Sequence, residues 1–166
     1  MKIGINQSNI ARIFLILLII ATLVFIFSNS LKNQEESSAD SAAVGSIIAA
    51  IFPPDTPLGA FVAVNLRSIA HFAEFALLGA ECAFYVAFFT KKRLRNALLS
   101  PFIGLAVGFI DESLQYLSDR APEIADVWLD LGGFVSFSVL TYIVLTVAAY
   151  VKYRVDENKQ RRVEHG

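Results

Sequence analysis

Charge is scarce in this chain. Of its 166 residues only 17% are Asp, Glu, Lys or Arg, against about 25% in an ordinary soluble domain. The deficit excludes a molecule wetted on all sides and points to a bilayer as solvent. Cysteine is nearly absent: Cys82 stands alone, which excludes an internal disulfide, and its apolar neighbours make it a small packing residue. There are two histidines, His71 and His165. A zinc centre would therefore rest on one or two imidazoles and several carboxylates, a poor zinc set, so neither metal nor cofactor is expected. No nucleophile elbow, phosphate loop or metal motif occurs. No inverted repeat occurs either, which weakens transport as a reading. Nothing in the pattern points to nucleic acid.

What the chain does have is long apolar runs. Four are of membrane-spanning length, at about 10–27, 60–89, 97–117 and 126–151. The first could instead be a secretory signal. Its apolar run is long for that, however, and no small-x-small cleavage site follows, so an uncleaved helix is expected. Between the first two runs, Val44, Ile47, Ile48, Ile51 and Phe52 recur at helical spacing. A stretch of 41–52 is too short to span and reads as an amphipathic helix on the outer membrane surface, ended by Pro53, Pro54 and Pro57. The prediction is an all-α membrane protein: a four-helix transmembrane bundle forming one domain over 1–151, multi-pass in the cell membrane. A polar tail, 152–166, should fray into the cytoplasm.

The bases set the orientation. Lys2, Arg12, the Lys91–Arg95 cluster and the basic residues after Val151 fall on one side. Only Lys32, Arg67 and Arg120 fall on the other. By the positive-inside rule both termini are cytoplasmic.

Against this background the polar residues inside the runs stand out. Arg67, His71, Glu74, Leu78 and Glu81 share one helical face. Asp111 and Gln115 share a face of the third span with Gly104 and Gly108, and Asp126 and Asp130 share a face of the fourth. Counted at 1.5 Å per residue from the cytoplasmic base clusters, these groups all lie roughly 24–39 Å up, at one outer level. Ionisable groups facing lipid cost several kcal/mol each, so the three helices should bring them together beneath the surface helix. Arg67 or Arg120 is expected to touch a carboxylate. His71 is expected within hydrogen-bond reach of a carboxylate from another helix. Glu81 could extend the stripe.

These residues carry a resemblance. Arg67-Ser-Ile-Ala-His71-Phe72-Ala-Glu74-Phe75 is similar to the RKxxHFxEY signature of the VanZ-like family of small bacterial membrane proteins. Asp111-Glu112-Ser-Leu-Gln115 resembles its DExxQ. Arg120 with Asp126-Val-Trp-Leu-Asp130-Leu-Gly-Gly133 resembles its R…DxxxN/DxxG ending. The resemblance runs from Phe27 to Gly133. Ser68 stands where the family often has Lys, and Phe75 where it has Tyr, which removes a hydroxyl. The founding member is associated with teicoplanin resistance and most members have no established activity, so the resemblance implies a setting more than a reaction.

Two functional classes follow. One is a binding protein that alters how a glycopeptide or other amphiphile engages the cell surface. The other is an intramembrane enzyme acting on a lipid-linked or cell-wall precursor at the outer leaflet, with membrane lipid as its surroundings. In the second, His71, Glu74, Asp111, Glu112 and Asp130 are the acid–base candidates, while Arg67, Gln115, Arg120 and Asp126 would hold the substrate. A purely structural hydrogen-bond network is the simpler alternative. The residues leave the oligomeric state open.

Overall fold

The computed structural model describes residues 7–118 and 120–164, except for the side chains of 162–164. Lys2, Asp119, the Arg162 side chain and His165 lie outside the described residues. The described residues form six helices and no strand: α1 (Gln7–Ser30), α2 (Gln34–Ile51), α3 (Pro57–Val64), α4 (Leu66–Phe89), α5 (Arg93–Leu117) and α6 (Ile124–Glu164). Of these, α1, α4, α5 and α6 are long and apolar enough to cross a membrane.

Local chemistry explains where the helices depart from the expected bounds. Helix α2 starts several residues before 41 because Asn33 and Glu36 form a capping box. The Asn33 side chain accepts from the Glu36 amide at 2.9 Å, and the Glu36 carboxylate accepts from the Asn33 amide at 3.2 Å. Val44, Ile47 and Ile51 of α2 stay exposed. The second run is not one helix: it breaks at Asn65, whose side chain donates to the Phe61 carbonyl at 2.8 Å. The third long helix, α5, begins at Arg93 and not at 97, which puts Pro101 inside it. The proline ring removes a donor from the Ala97 carbonyl, and the Ser100 hydroxyl donates there instead, at 2.9 Å. The tail does not fray at Lys152. α6 runs on to Glu164, helped by Glu157 pairing with Arg154 at 3.4 Å and Arg161 at 2.7 Å.

The centre of the bundle is the α4–α6 contact. A Cβ at Gly79 would stand 2.1 Å from the Phe134 carbonyl oxygen, and one at Gly133 would stand 2.4 Å from that of Phe72. Both obstacles are backbone, so the helices touch main chain to main chain, as small residues permit in membranes. The Ser138 hydroxyl fastens the crossing by donating to the Gly79 carbonyl at 2.9 Å. Beside it, Ile26, Phe75, Leu78, Val107 and Phe134 form the apolar core. Phe75 is fully buried there, a place where a tyrosine hydroxyl would need its own partner. On α5, Gly104 is required by the Phe134 ring, 2.7 Å from its would-be Cβ, whereas Gly108 has ordinary clearance of 3.5 Å to Asp130.

Alanine at Gly79 or Gly133 should therefore destabilise the protein by about 1–3 kcal/mol. Gly108→Ala should change stability by less than about 0.5 kcal/mol or raise it. Thermal unfolding in detergent separates the two outcomes.

Candidate functional site

The α4–α6 crossing delivers His71 and Asp130 to the same point, and α5 brings Asp111 from the third side. His71 Nδ1 lies 3.6 Å from Asp130 Oδ1 and 3.7 Å from Asp111 Oδ2. These are ion-pair distances to carboxylates on two other helices, but they exceed hydrogen-bond length. The expected hydrogen bond from His71 is thus not made. Asp111 and Asp130 are both fully buried. Asp111 is well held: the Ser30 hydroxyl donates to Oδ1, and Gln115 Nε2 donates to Oδ2 at 3.2 Å. Among the described residues Asp130 has no hydrogen-bond partner on either oxygen, and His71 Nδ1 has none either.

Neither arginine meets a carboxylate at salt-bridge distance among the described residues, contrary to expectation. For Arg67 the buried Gln115 amide stands between. Oε1 accepts from Arg67 Nη2 at 2.7 Å, while Nε2 donates to Glu112 at 2.6 Å as well as to Asp111. Arg120 Nη1 donates to the Asn29 carbonyl at 3.4 Å. Among the described residues neither guanidinium forms a salt bridge, and both Nε atoms are buried without a partner. Burial, and then the neighbouring Arg67 charge, push the Arg120 pKa below the usual arginine range.

Arg67, Arg120, His71 and Glu74 line one cavity of about 380 Å³, together with Ser37, Asp40, Ser41 and Val44 of α2. A second, mostly apolar cavity of about 600 Å³ under α2 and α3 shares Ser41, Leu66 and Arg67 with it. His71, 9% exposed, thus separates the cavity from the buried aspartates.

The family of this architecture can now be tested. A family model described as VanZ/LLP1 matches residues 13–145, which spans most of the chain and takes in every residue just described. The chain belongs to the VanZ/LLP1 family. No curated protein and no solved structure matches it.

Not every residue singled out in this VanZ/LLP1 chain joins the cluster. Glu112 has both oxygens engaged, one by Gln115 and the other by the Glu123 amide at 2.8 Å. It anchors the α5–α6 connection and does not line the arginine cavity. Asp126 is half-buried in the first turn of α6, where a carboxylate suits the helix dipole, and its side chain has no hydrogen-bond partner among the described residues. Glu81 bonds Thr22 at 2.9 Å on α1, two turns and roughly 10 Å along α4 from Glu74, so it stands apart. The sequence reading missed Asn29, Ser30 and Lys32. Asn29 donates to Glu74 at 2.9 Å, and Lys32 links Asn29 at 3.0 Å to Asp40 at 2.5 Å. Small polar residues at the end of an apolar run are the only signal they leave.

Gln115→Leu removes a donor and an acceptor at once. It should cost about 1–3 kcal/mol for each charged partner left unmatched. Asp126→Asn should stay within about 0.5 kcal/mol. Melting temperatures of the purified variants check both.

Proposed function

We propose that this VanZ/LLP1 protein binds the anionic headgroup of an amphiphile at the outer membrane face. The observation that carries the reading is the pair of guanidiniums, Arg67 and Arg120. They lie beside one cavity, without carboxylate partners among the described residues, next to a mostly apolar cavity under α2. Arginine forks match phosphate and carboxylate oxygens. An apolar chamber sharing Arg67 suits the attached chain. The asymmetry of basic residues supports placing this end of the bundle outside and both termini inside. A lipid-linked cell-wall precursor has the required shape, with phosphate at one end and an apolar tail at the other. Sequestering such a lipid, or a glycopeptide itself, would alter glycopeptide susceptibility of the teicoplanin type.

A second reading adds turnover. His71 lies between two buried carboxylates and borders the cavity with Glu74. An imidazole so placed can give or take a proton from a headgroup held by the arginines, with Asp111 and Asp130 balancing its charge.

Protein in nanodiscs should bind a fluorescent polyprenyl pyrophosphate more tightly than a zwitterionic lipid of equal chain length, and less tightly as salt rises. Arg67→Gln and Arg120→Gln should each weaken binding by about tenfold or more. Equal binding of the two lipids, or full affinity in the Arg67→Gln/Arg120→Gln protein, overturns the reading. Loss of the pyrophosphate lipid over time, abolished by His71→Gln, would establish turnover.

A further inference from the structure

We infer that His71, Asp111 and Asp130 form a binding site for one divalent transition-metal ion of the zinc or manganese class. Each residue comes from a different helix, and one ligand atom from each lies within 4.8 Å of the others. The spacing suits an ion better than a proton. The His71 nitrogen stands 3.6 and 3.7 Å from the two carboxylate oxygens. That exceeds the roughly 2.7–3.2 Å of a hydrogen bond. Two ligands held about 2.1 Å from a tetrahedral ion stand about 3.4 Å apart.

The second observation is burial. Asp130 is fully buried, and among the described residues its Oδ2, like its Oδ1, has no hydrogen-bond partner. The His71 Nδ1 that faces it also has none. A buried charge without a partner is costly, and a cation between these three atoms removes the cost for all of them. Asp111 is already steered for this role: Ser30 donates to one oxygen and Gln115 to the other, leaving Oδ2 a further lone pair toward His71. Hydrogen bonds of this kind orient metal ligands elsewhere. The donor set of one imidazole and two carboxylates is too poor in oxygen for calcium, which takes 6–8 oxygens. It has no soft sulfur, and imidazole with carboxylate spans zinc to manganese. His71 borders the arginine cavity, so the ion's open side faces the place where the anionic headgroup is proposed to sit. The inference deepens that reading but is tested by metal binding, not by lipid.

Chelator-treated protein in nanodiscs is titrated with Co²⁺ and with Zn²⁺. One equivalent of Co²⁺ should give visible d–d bands of low-coordinate cobalt, which Zn²⁺ then displaces. After dialysis against Zn²⁺ the wild type should retain one ion per chain by elemental analysis. Folded His71→Gln and Asp130→Asn proteins should lose at least tenfold in affinity. Absence of bands together with absence of retained zinc or manganese in the wild type overturns the proposal, whatever the variants do. Unchanged stoichiometry and affinity in both folded variants also overturns it. Failure to bind metal while the pyrophosphate lipid still binds would sink the ion alone and leave the arginine site standing. Metal binding that persists in the Arg67→Gln/Arg120→Gln protein, with lipid binding unaffected there, would sink the headgroup reading alone.

Discussion

Asp130 is a carboxylate at full burial, and no donor among the described residues hydrogen-bonds to it. In an apolar medium such a group is tolerated only beside positive charge or strong donors. Much of this end of the bundle follows from that requirement. His71 must stand opposite, which needs α4 and α6 to cross at main-chain distance, which in turn needs glycine at 79 and 133. Asp111 joins from α5, so the local charge becomes more negative still. The glycine crossing therefore does more than pack two helices. It holds two carboxylates and an imidazole closer together than they would settle in water.

Arg67 is kept out of this arrangement by one amide, and Arg120 bonds the Asn29 carbonyl instead. Had Arg67 or Arg120 paired with Asp111, the aspartates would be neutralised and the guanidiniums consumed. Gln115 offers its oxygen to Arg67 and its nitrogen to Asp111 and Glu112, so Arg67 meets an amide instead of a carboxylate. The run from Asp40 through Lys32 and Asn29 to Glu74 ties α2 over the cavity. This makes the surface helix part of the site rather than an ornament on the bundle.

Much of this was legible in the sequence. Four apolar runs predicted the four long helices, and a depth count placed His71, Asp111 and Asp130 at one level, where the structure brings them together. Helical periodicity identified the inward faces because charges facing lipid are so costly that few alternatives survive. Contacts decided by geometry below the scale of a helical turn were not legible. The sequence could not show that Gln115 would reach Arg67 before a carboxylate did. Nor could it show that Asn29 and Ser30, ordinary residues at the end of a span, would turn inward. Counting unpartnered lone pairs, too, needs coordinates. The break at Asn65 and the long α6 were hidden because apolar composition marks the bilayer, not the helix end.

The central claim is that His71 and Asp130 act on each other across the α4–α6 crossing. A double-mutant cycle of thermal stability with His71→Gln, Asp130→Asn and the pair, in the same detergent, measures this most directly. Coupled residues should give an interaction free energy of about 1 kcal/mol or more, the double variant being less damaged than the sum of the singles. Additivity within about 0.3 kcal/mol would mean that the two side chains do not share a site, and would contradict the account.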